Sequence, residues 1–151
     1  MANTQGLATS FKTEILAGVH ALGTTVVRTT TAPDVIKAAL YLASATLGPS
    51  TTVYSPTGEV SGNNYTAGGV VVVDTVAPAS NGTTAYWTPT ASFVYTNVTL
   101  QTSFDTVLLY NSSQGNRAIS VHTFGAQTIT NGTFALTMPS NDANNALIRL
   151  A

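Results

Sequence analysis

The sequence lacks cysteine and is very poor in charge. None of its 151 residues is cysteine, which excludes a disulfide framework and metal sites built on thiolates. Charged side chains make up 7% of the chain, against about 25% in typical soluble domains, and the formal net charge is −1. Such a chain has no field to attract nucleic acid, so we expect none as a partner. Low net charge also gives little repulsion between copies and therefore favours association.

Long apolar runs are missing as well. The most apolar window, Val70–Val73, is far too short to span a bilayer. The first residues, MANTQGLATSFK, lack the basic start and apolar core of a secretory signal. We therefore expect no membrane partner. The Asn-X-Thr/Ser triplets are interpreted as turn chemistry in a Thr-rich chain and not as glycosylation sites; they begin at Asn64, Asn81, Asn97, Asn111 and Asn131.

Motifs of catalysis are not found. The chain has no Gly-X-Ser-X-Gly elbow, no HExxH pair and no Walker-type loop. Asp105 and His122 could join one of many serines in a triad, but His122 lies on the face of an alternating strand pattern. Glu59 and Asp74 can be drawn as a glycosidase pair, although any two acids of the chain would serve equally well. We interpret Glu59 instead as an acceptor of hydrogen bonds from the backbone of its own loop. We therefore predict a non-enzymatic protein with no catalytic residues, no metal site and no cofactor.

Some scarce residue types leave two interpretations open. Arg117 and Arg149 either pair with an acid across a subunit contact or act as strand-edge charges that discourage aggregation. Tyr86 and Trp87 are either interface anchors or core residues. The sequence does not identify which residues contact a partner.

What the sequence does have is a strong β-strand pattern from Ala91 to Met138. Thr106–Tyr110 is apolar on both faces, as expected for a strand inside a two-layer core. The turn-rich residues 111–116 follow, and Arg117–Phe124 then alternates again. Short strands separated by Gly and Asn turns predict an all-β fold, an antiparallel β-sandwich or jelly roll.

The end of this stretch predicts a hairpin at Asn131-Gly132. Asn-Gly is the dipeptide that best tolerates the positive φ angles of a two-residue type I′ turn. With that turn, Ile129 would face Phe134 and Thr130 would face Thr133. Residues 133–138 alternate apolar and polar, which predicts one buried strand face.

The first part of the chain predicts an arm and one helix. Residues 1–9 are small and polar, which favours a flexible arm. Residues 10–22 form an amphipathic helix in this prediction, with Ser10 as N-cap and Gly23 after its end. Glu14 is expected on the outer face of that helix, and His20 is interpreted as a surface histidine.

Residues 24–151 are predicted to form the β-core of a single domain that covers residues 1–151. Within it, residues 35–45 suit either a helix or a buried strand, and we favour the strand, partly from the family resemblance given below. Residues 47–69 are rich in Gly, Pro, Ser and Asn and predict a long loop, which in a compact domain is usually functional or ordered by a partner. Gly69–Asp74 and Ala146–Leu150 are expected as further strands.

Taken together, the residues resemble a family of small structural proteins of tailed-phage virions. The resemblance covers most of the chain and depends on the order of loose motifs: FKTEILAGVH at 11–20, IKAALY at 36–41, GEVSGNNYTAGG at 58–69, LLYN at 108–111 and NRAI at 116–119. The loop at 58–69 is the most specific of them.

The resemblance implies a capsid decoration, or cement, protein. Such proteins are mostly β, non-enzymatic and bound in many copies to the outer surface of the head, after synthesis in the host cytoplasm. The partners implied are the major capsid protein and further copies of the chain itself, with a homotrimer favoured. A tail or fibre component that binds a host receptor is the alternative, and a glycan-active enzyme using Glu59 and Asp74 is a third class.

Overall fold

The computed structural model describes residues 2–16, 18–24 and 33–151 and has an all-β fold with one short helix, as predicted. No helix of the described chain is long and apolar enough to cross a membrane. The helix α1 covers Thr9–Leu16, and the strands are β1 Gly6–Leu7, β2 Ile36–Leu42, β3 Val70–Val71, β4 Ala79–Asn81, β5 Thr84–Trp87, β6 Phe93–Asn111, β7 Arg117–Leu136 and β8 Ile148–Leu150.

The strands form two antiparallel sheets. The larger sheet has five strands in the order β1-β7-β6-β2-β3, and the smaller has three in the order β4-β5-β8. Every pairing is antiparallel, which confirms the predicted sheet type. Apolar residues of both sheets share one core, to which β2 and β6 contribute Leu40 and Leu108 and the smaller sheet contributes Trp87 and Ile148.

Two long strands form the centre of the larger sheet. β6 and β7 contain 19 and 20 residues and pair along their length, from Asn111 opposite Arg117 to Phe93 opposite Leu136. The turn between them ends at Gly115 and Asn116, which both have positive φ angles. The sequence placed this turn correctly but predicted shorter strands, because turn-forming residues such as Gly125 and Asn131-Gly132 also occur inside the long ones.

The hairpin predicted at Asn131-Gly132 is wrong. β7 continues through both residues, and Gly132 lies opposite Val98 of β6. Asn131 has a φ of 50°, but it uses this conformation for a bulge, in which its N–H donates to Thr99 Oγ1 at 3.0 Å. Pairing with the distant strand β6 therefore overrides the local turn preference.

The N-terminal segment is not the free arm that the sequence predicted. Asn3 Nδ2 donates to Asp105 Oδ1 at 2.9 Å, and its Oδ1 accepts the N–H of Leu47 at 2.8 Å. Gly6 and Leu7 then pair with β7 as an edge strand. These contacts join the segment to three distant parts of the chain, which its own composition does not reveal.

The helix is shorter than the predicted residues 10–22. Gly18 has a φ of 69°, its N–H donates to Ile15 O at 3.0 Å, and the N–H of Val19 donates to Glu14 O at 2.9 Å. This hydrogen-bond pattern is a Schellman cap, so the helix ends before Gly18 and not at Gly23.

The other predicted elements are found in place, although some are shorter. Residues 36–42 form a central strand, which confirms the strand interpretation of residues 35–45. Within Gly69–Asp74, only Val70–Val71 pairs as a strand, at the edge of the larger sheet. The segment between β2 and β3 contains isolated bridges but no helix or strand in its residues 43–69, all of which the structure describes.

Candidate functional site: the clamped loop

The residues Gly58–Gly69, here called the clamped loop, follow the outer edge of β2. The N–H of Leu42 donates to Gly58 O at 2.9 Å, and the N–H of Val60 donates to Leu40 O at 3.0 Å. The start of the loop therefore extends the sheet beside β2. Its remaining residues leave the sheet before the chain returns at β3.

The carboxylate of Glu59 is the anchor of this loop. Its Oε1 accepts hydrogen bonds from the Tyr65 hydroxyl at 2.8 Å and from the N–H of Gly68 at 2.7 Å. Its Oε2 accepts the Tyr54 hydroxyl at 2.6 Å. Both oxygens are thus held by groups of the same loop or of the segment before it. This arrangement fixes loop geometry and explains Glu59 without any catalytic role.

The tyrosines around Glu59 connect the loop to the sheet. The Tyr65 hydroxyl accepts a hydrogen bond from the N–H of Leu40 at 3.0 Å. In a continuous sheet, a backbone carbonyl of the neighbouring strand would accept this hydrogen bond. The ring of Tyr54 stacks on Tyr110 at a centroid distance of 4.6 Å, and the Tyr110 hydroxyl donates to Gly68 O at 2.8 Å. Burial, followed by the hydrogen bond to the Glu59 carboxylate, raises the pKa of Tyr54 and of Tyr65 above the ordinary value.

The glycines of the loop allow close approach of two backbones. A Cβ on Gly62 would lie 1.9 Å from the carbonyl oxygen of Thr99, and one on Gly69 would lie 1.8 Å from that of Ala38. Gly69 also has a φ of 73°. The glycine spacing that marks this stretch in the sequence therefore reflects packing against β2 and β6, which agrees with the exclusion of a phosphate loop.

The tip of the loop is exposed and lies against β6. Residues 61–64 and 66–67 are exposed, whereas Tyr65 is half-buried. The N–H of Thr99 donates to Asn63 O at 3.1 Å, and Asn64 Nδ2 donates to Asn97 O at 2.9 Å. Neither residues 60–73 nor residues 93–104 contain a charged side chain. The loop and the neighbouring strand together form a rigid, polar and uncharged surface.

A second polar cluster contains His20, and it overturns two predictions. The His20 side chain is 1% exposed, its Nε2 lies 2.7 Å from Glu14 Oε2, and its Nδ1 lies 3.0 Å from Asn111 Nδ2. His20 is therefore not a surface residue, and the buried Glu14 is not on an outer face. The error at His20 arises from the early end of the helix, after which the chain turns back over Phe11, whose ring lies 4.8 Å from that of His20. Glu14 lies inside the helix and is covered by its contacts with distant residues.

Glu14 also pairs with Arg117 of the same chain. Burial alone raises the pKa of Glu14, but the hydrogen bonds from His20 and Arg117 outweigh it and hold that pKa below its usual value. The pair of Glu14 and Arg117 lies within one chain, so it tests neither of the two interpretations of Arg117, a subunit contact or a strand-edge charge. Arg149 donates to the carbonyl of Asn144.

The acids and the histidine considered as possible catalytic residues have different hydrogen-bond partners. Asp105 binds Asn3, whereas His122 Nε2 lies 2.9 Å from Ser120 Oγ, and burial lowers the pKa of His122 to about 4. Asp74 accepts the indole N–H of Trp87 at 3.2 Å, apart from the contacts of Glu59.

Trp87 is 2% exposed, so it is a core residue, and Tyr86 is half-buried. Among the described residues, no group of three or more His, Cys, Asp or Glu side chains could hold a metal ion.

No protein family, curated protein or solved structure matches this chain.

Proposed function

We propose that this chain is a non-enzymatic capsid decoration protein of a tailed phage, which binds the assembled head and stabilises it. Its partners in this proposal are the major capsid protein and further copies of itself, on the outer surface of the virion. The proposal unites the resemblance of the sequence motifs with the geometry of the clamped loop.

The observation that carries the proposal is the anchoring of the clamped loop by Glu59. Three hydrogen bonds to one carboxylate hold an exposed tip that carries no charge. A preorganised loop loses little conformational entropy on binding, which favours adhesion to a fixed lattice. Both oxygens of this carboxylate are occupied by the loop, which favours a structural role of Glu59 over hydrolysis.

The mechanism follows from the repetition of the lattice. A head shell offers the same contact many times, so modest interfaces made together bind far more strongly than any one of them. A protein that binds assembled shell and not free coat subunits lowers the free energy of the shell by mass action. We therefore expect heads that carry the protein to resist heat or osmotic shock better than heads that lack it.

Quantitative mass spectrometry of purified virions tests the location. We expect hundreds of copies per particle. A copy number of a few would contradict decoration and would support the tail or fibre alternative, in which the chain binds a host receptor.

A binding assay with purified heads that lack the protein tests the role of the loop. Thr66 and Thr83 are both exposed, and Thr66 lies in the clamped loop whereas Thr83 lies in the turn between β4 and β5. We expect Thr66→Arg to weaken binding at least tenfold and Thr83→Arg to leave it unchanged. Equal effects of the two variants would contradict the assignment of the loop as the contact.

A further inference from the structure

A group of exposed valines lies on β2 and β3, beside the clamped loop. Five large apolar side chains of the described residues are exposed, and three of them are Val35 at 44%, Val71 at 57% and Val73 at 57%. Lys37 pairs with Val71, and the same register continued by two residues places Val35 opposite Val73. Because cross-strand partners share one face of a sheet, these three valines and Lys37 form one surface, here called the valine patch.

The valine patch is the part of this face that the rest of the chain leaves uncovered. Further along β2, Tyr41 lies on the same face, donates to Ser55 O at 2.5 Å and is 2% exposed. Ile36 and Val72 point to the opposite face and belong to the core. Exposed apolar side chains grouped in this way mark an interaction site.

The ammonium group of Lys37 has no carboxylate partner in the chain. A Cβ on Gly68 would lie 3.8 Å from Lys37 Nζ, so this charge lies next to the clamped loop. Among the described residues, Lys37 Nζ makes no hydrogen bond or ion pair. Asp34 and Asp74, the acids nearest to the patch in sequence, bind groups on the other face of the sheet.

We propose that the valine patch binds a protein surface on which one carboxylate is surrounded by apolar side chains. The carboxylate pairs with Lys37, and the apolar side chains cover the valines. This inference rests on the proposed function, in which the partner is the major capsid protein. It adds a charged, apolar contact to the uncharged contact of the clamped loop.

Charge favours a different protein over a second copy as the partner. In a two-fold contact of the patch with itself, the two Lys37 ammonium groups would face and repel each other. A contact with another face of a second copy would need a side-chain carboxylate that has no partner. All six Asp and Glu residues of the chain accept hydrogen bonds from their own chain: Glu14, Asp34, Glu59, Asp74, Asp105 and Asp142.

Binding of variants to purified heads that lack the protein tests this contact. Lys37→Glu reverses the charge and should raise the dissociation constant about tenfold, because two carboxylates would then face each other. Lys12→Glu, at an exposed lysine of α1, is the matched control and should leave the dissociation constant unchanged. Lys37→Arg keeps the charge and should retain most of the binding. Val71→Ser removes apolar contact and should weaken binding about fivefold.

Salt dependence is a second measurement, which a merely structural role of Lys37 would not change. Added salt should weaken binding of the parent by screening the ion pair, and it should weaken binding of Lys37→Met less. Equal binding of Lys37→Glu and Lys12→Glu, or Lys37→Met that binds as tightly as the parent, would overturn the carboxylate partner and leave the proposed function intact. A dimer of the isolated protein that Val71→Ser dissociates would overturn it in favour of a second copy. A parent protein that does not bind heads would contradict the proposed function itself, and this inference with it.

Discussion

The clamped loop and the adjoining ends of β6 and β7 lie against each other, yet they keep their shape by different means. Residues 93–100 and 129–136, here called the distal ribbon, are held by a backbone ladder of five residue pairs with two register shifts between them. The clamped loop has few backbone pairings and depends on Glu59, two tyrosines and close-packed glycines. The loop therefore depends on a few residues, whereas the stability of the ribbon is shared among its backbone pairs.

This difference predicts that single substitutions act strongly in the loop and weakly in the strands. The largest effect is expected for Gly69→Ala. The new Cβ would lie 1.8 Å from the carbonyl oxygen of Ala38, and the φ of 73° is unfavourable for alanine. Because the obstacle is backbone, β2 or the loop must move, and we expect a loss of about 4 kcal/mol or more in the free energy of unfolding. Urea denaturation measures it.

Glu59→Gln is expected to have the next largest effect. The amide keeps the size of the side chain but removes the charge that accepts hydrogen bonds from Tyr54, Tyr65 and the N–H of Gly68. Hydrogen bonds to charged groups contribute about 1.5–3 kcal/mol each. We therefore expect the free energy of unfolding, measured by urea denaturation, to fall by about 2 kcal/mol. A variant as stable as the parent would show that the loop is held by its glycines alone.

Stability should also respond to opposite changes of pH at the clamped loop and at His122, a residue of β7 outside the distal ribbon. Tyr54 and Tyr65 have a raised pKa, so they stabilise the loop fully below pH 10 and lose this contribution as pH rises above it. His122 in β7 has a pKa lowered to about 4 from 6.5, so its contribution is lost as pH falls between these values. The urea concentration at the midpoint of unfolding should therefore decrease both at alkaline pH and at acid pH. His122→Gln should reduce the decrease at acid pH and leave the decrease at alkaline pH unchanged.

Asn131→Ala tests the bulge in the distal ribbon. Asn131 has a φ of 50°, which asparagine tolerates better than alanine. We expect Asn131→Ala to lower the free energy of unfolding, measured by urea denaturation, by about 1 kcal/mol, and Asn131→Gly should restore most of this stability. A loss as large as that of Gly69→Ala would contradict the view that the ribbon is held by distributed pairing.

The smallest effect is expected for Gly125→Ala, which is the control for Gly69→Ala. A Cβ on Gly125 has no atom within 4 Å, and this glycine is not among those with positive φ. Alanine should therefore change the stability by less than about 1 kcal/mol, in the stabilising direction, because it restricts the unfolded chain. Thermal unfolding of the two glycine variants side by side gives the comparison directly.

The sequence predicted the elements whose signal is local. Alternation identified the half-buried face of Phe134 and Leu136, and it favoured the strand at residues 36–42. The turn before Arg117 was found because its Gly and Asn residues take positive φ angles in a connection between neighbouring strands.

The errors occur where distant contacts decide. Asn131-Gly132 has the strongest local turn signal, but pairing with Val98 keeps it inside a strand. His20 was placed on the surface because nothing near it in sequence shows that Asn111 and Glu14 meet there. The clamped loop was recognised from its glycines, and the hydrogen bond from the N–H of Gly68 confirms that Glu59 binds backbone of its own loop. The hydrogen bonds from Tyr54 and Tyr65 to Glu59 are the part that the sequence did not predict.

The hydroxyl of Tyr65 accepts the N–H of Leu40, which in a continuous sheet would bind a backbone carbonyl of the next strand. A side chain, and not a continuous neighbouring strand, completes the border of the sheet at that point. The segment between Val60 and Tyr65 is therefore released from the ladder of β2, and its remaining constraint is β6, where Gly62 and Asn63 contact Thr99. Substitution of an exposed side chain such as Ser61 would leave β2 unaltered, so the recognition surface could vary there on a constant scaffold.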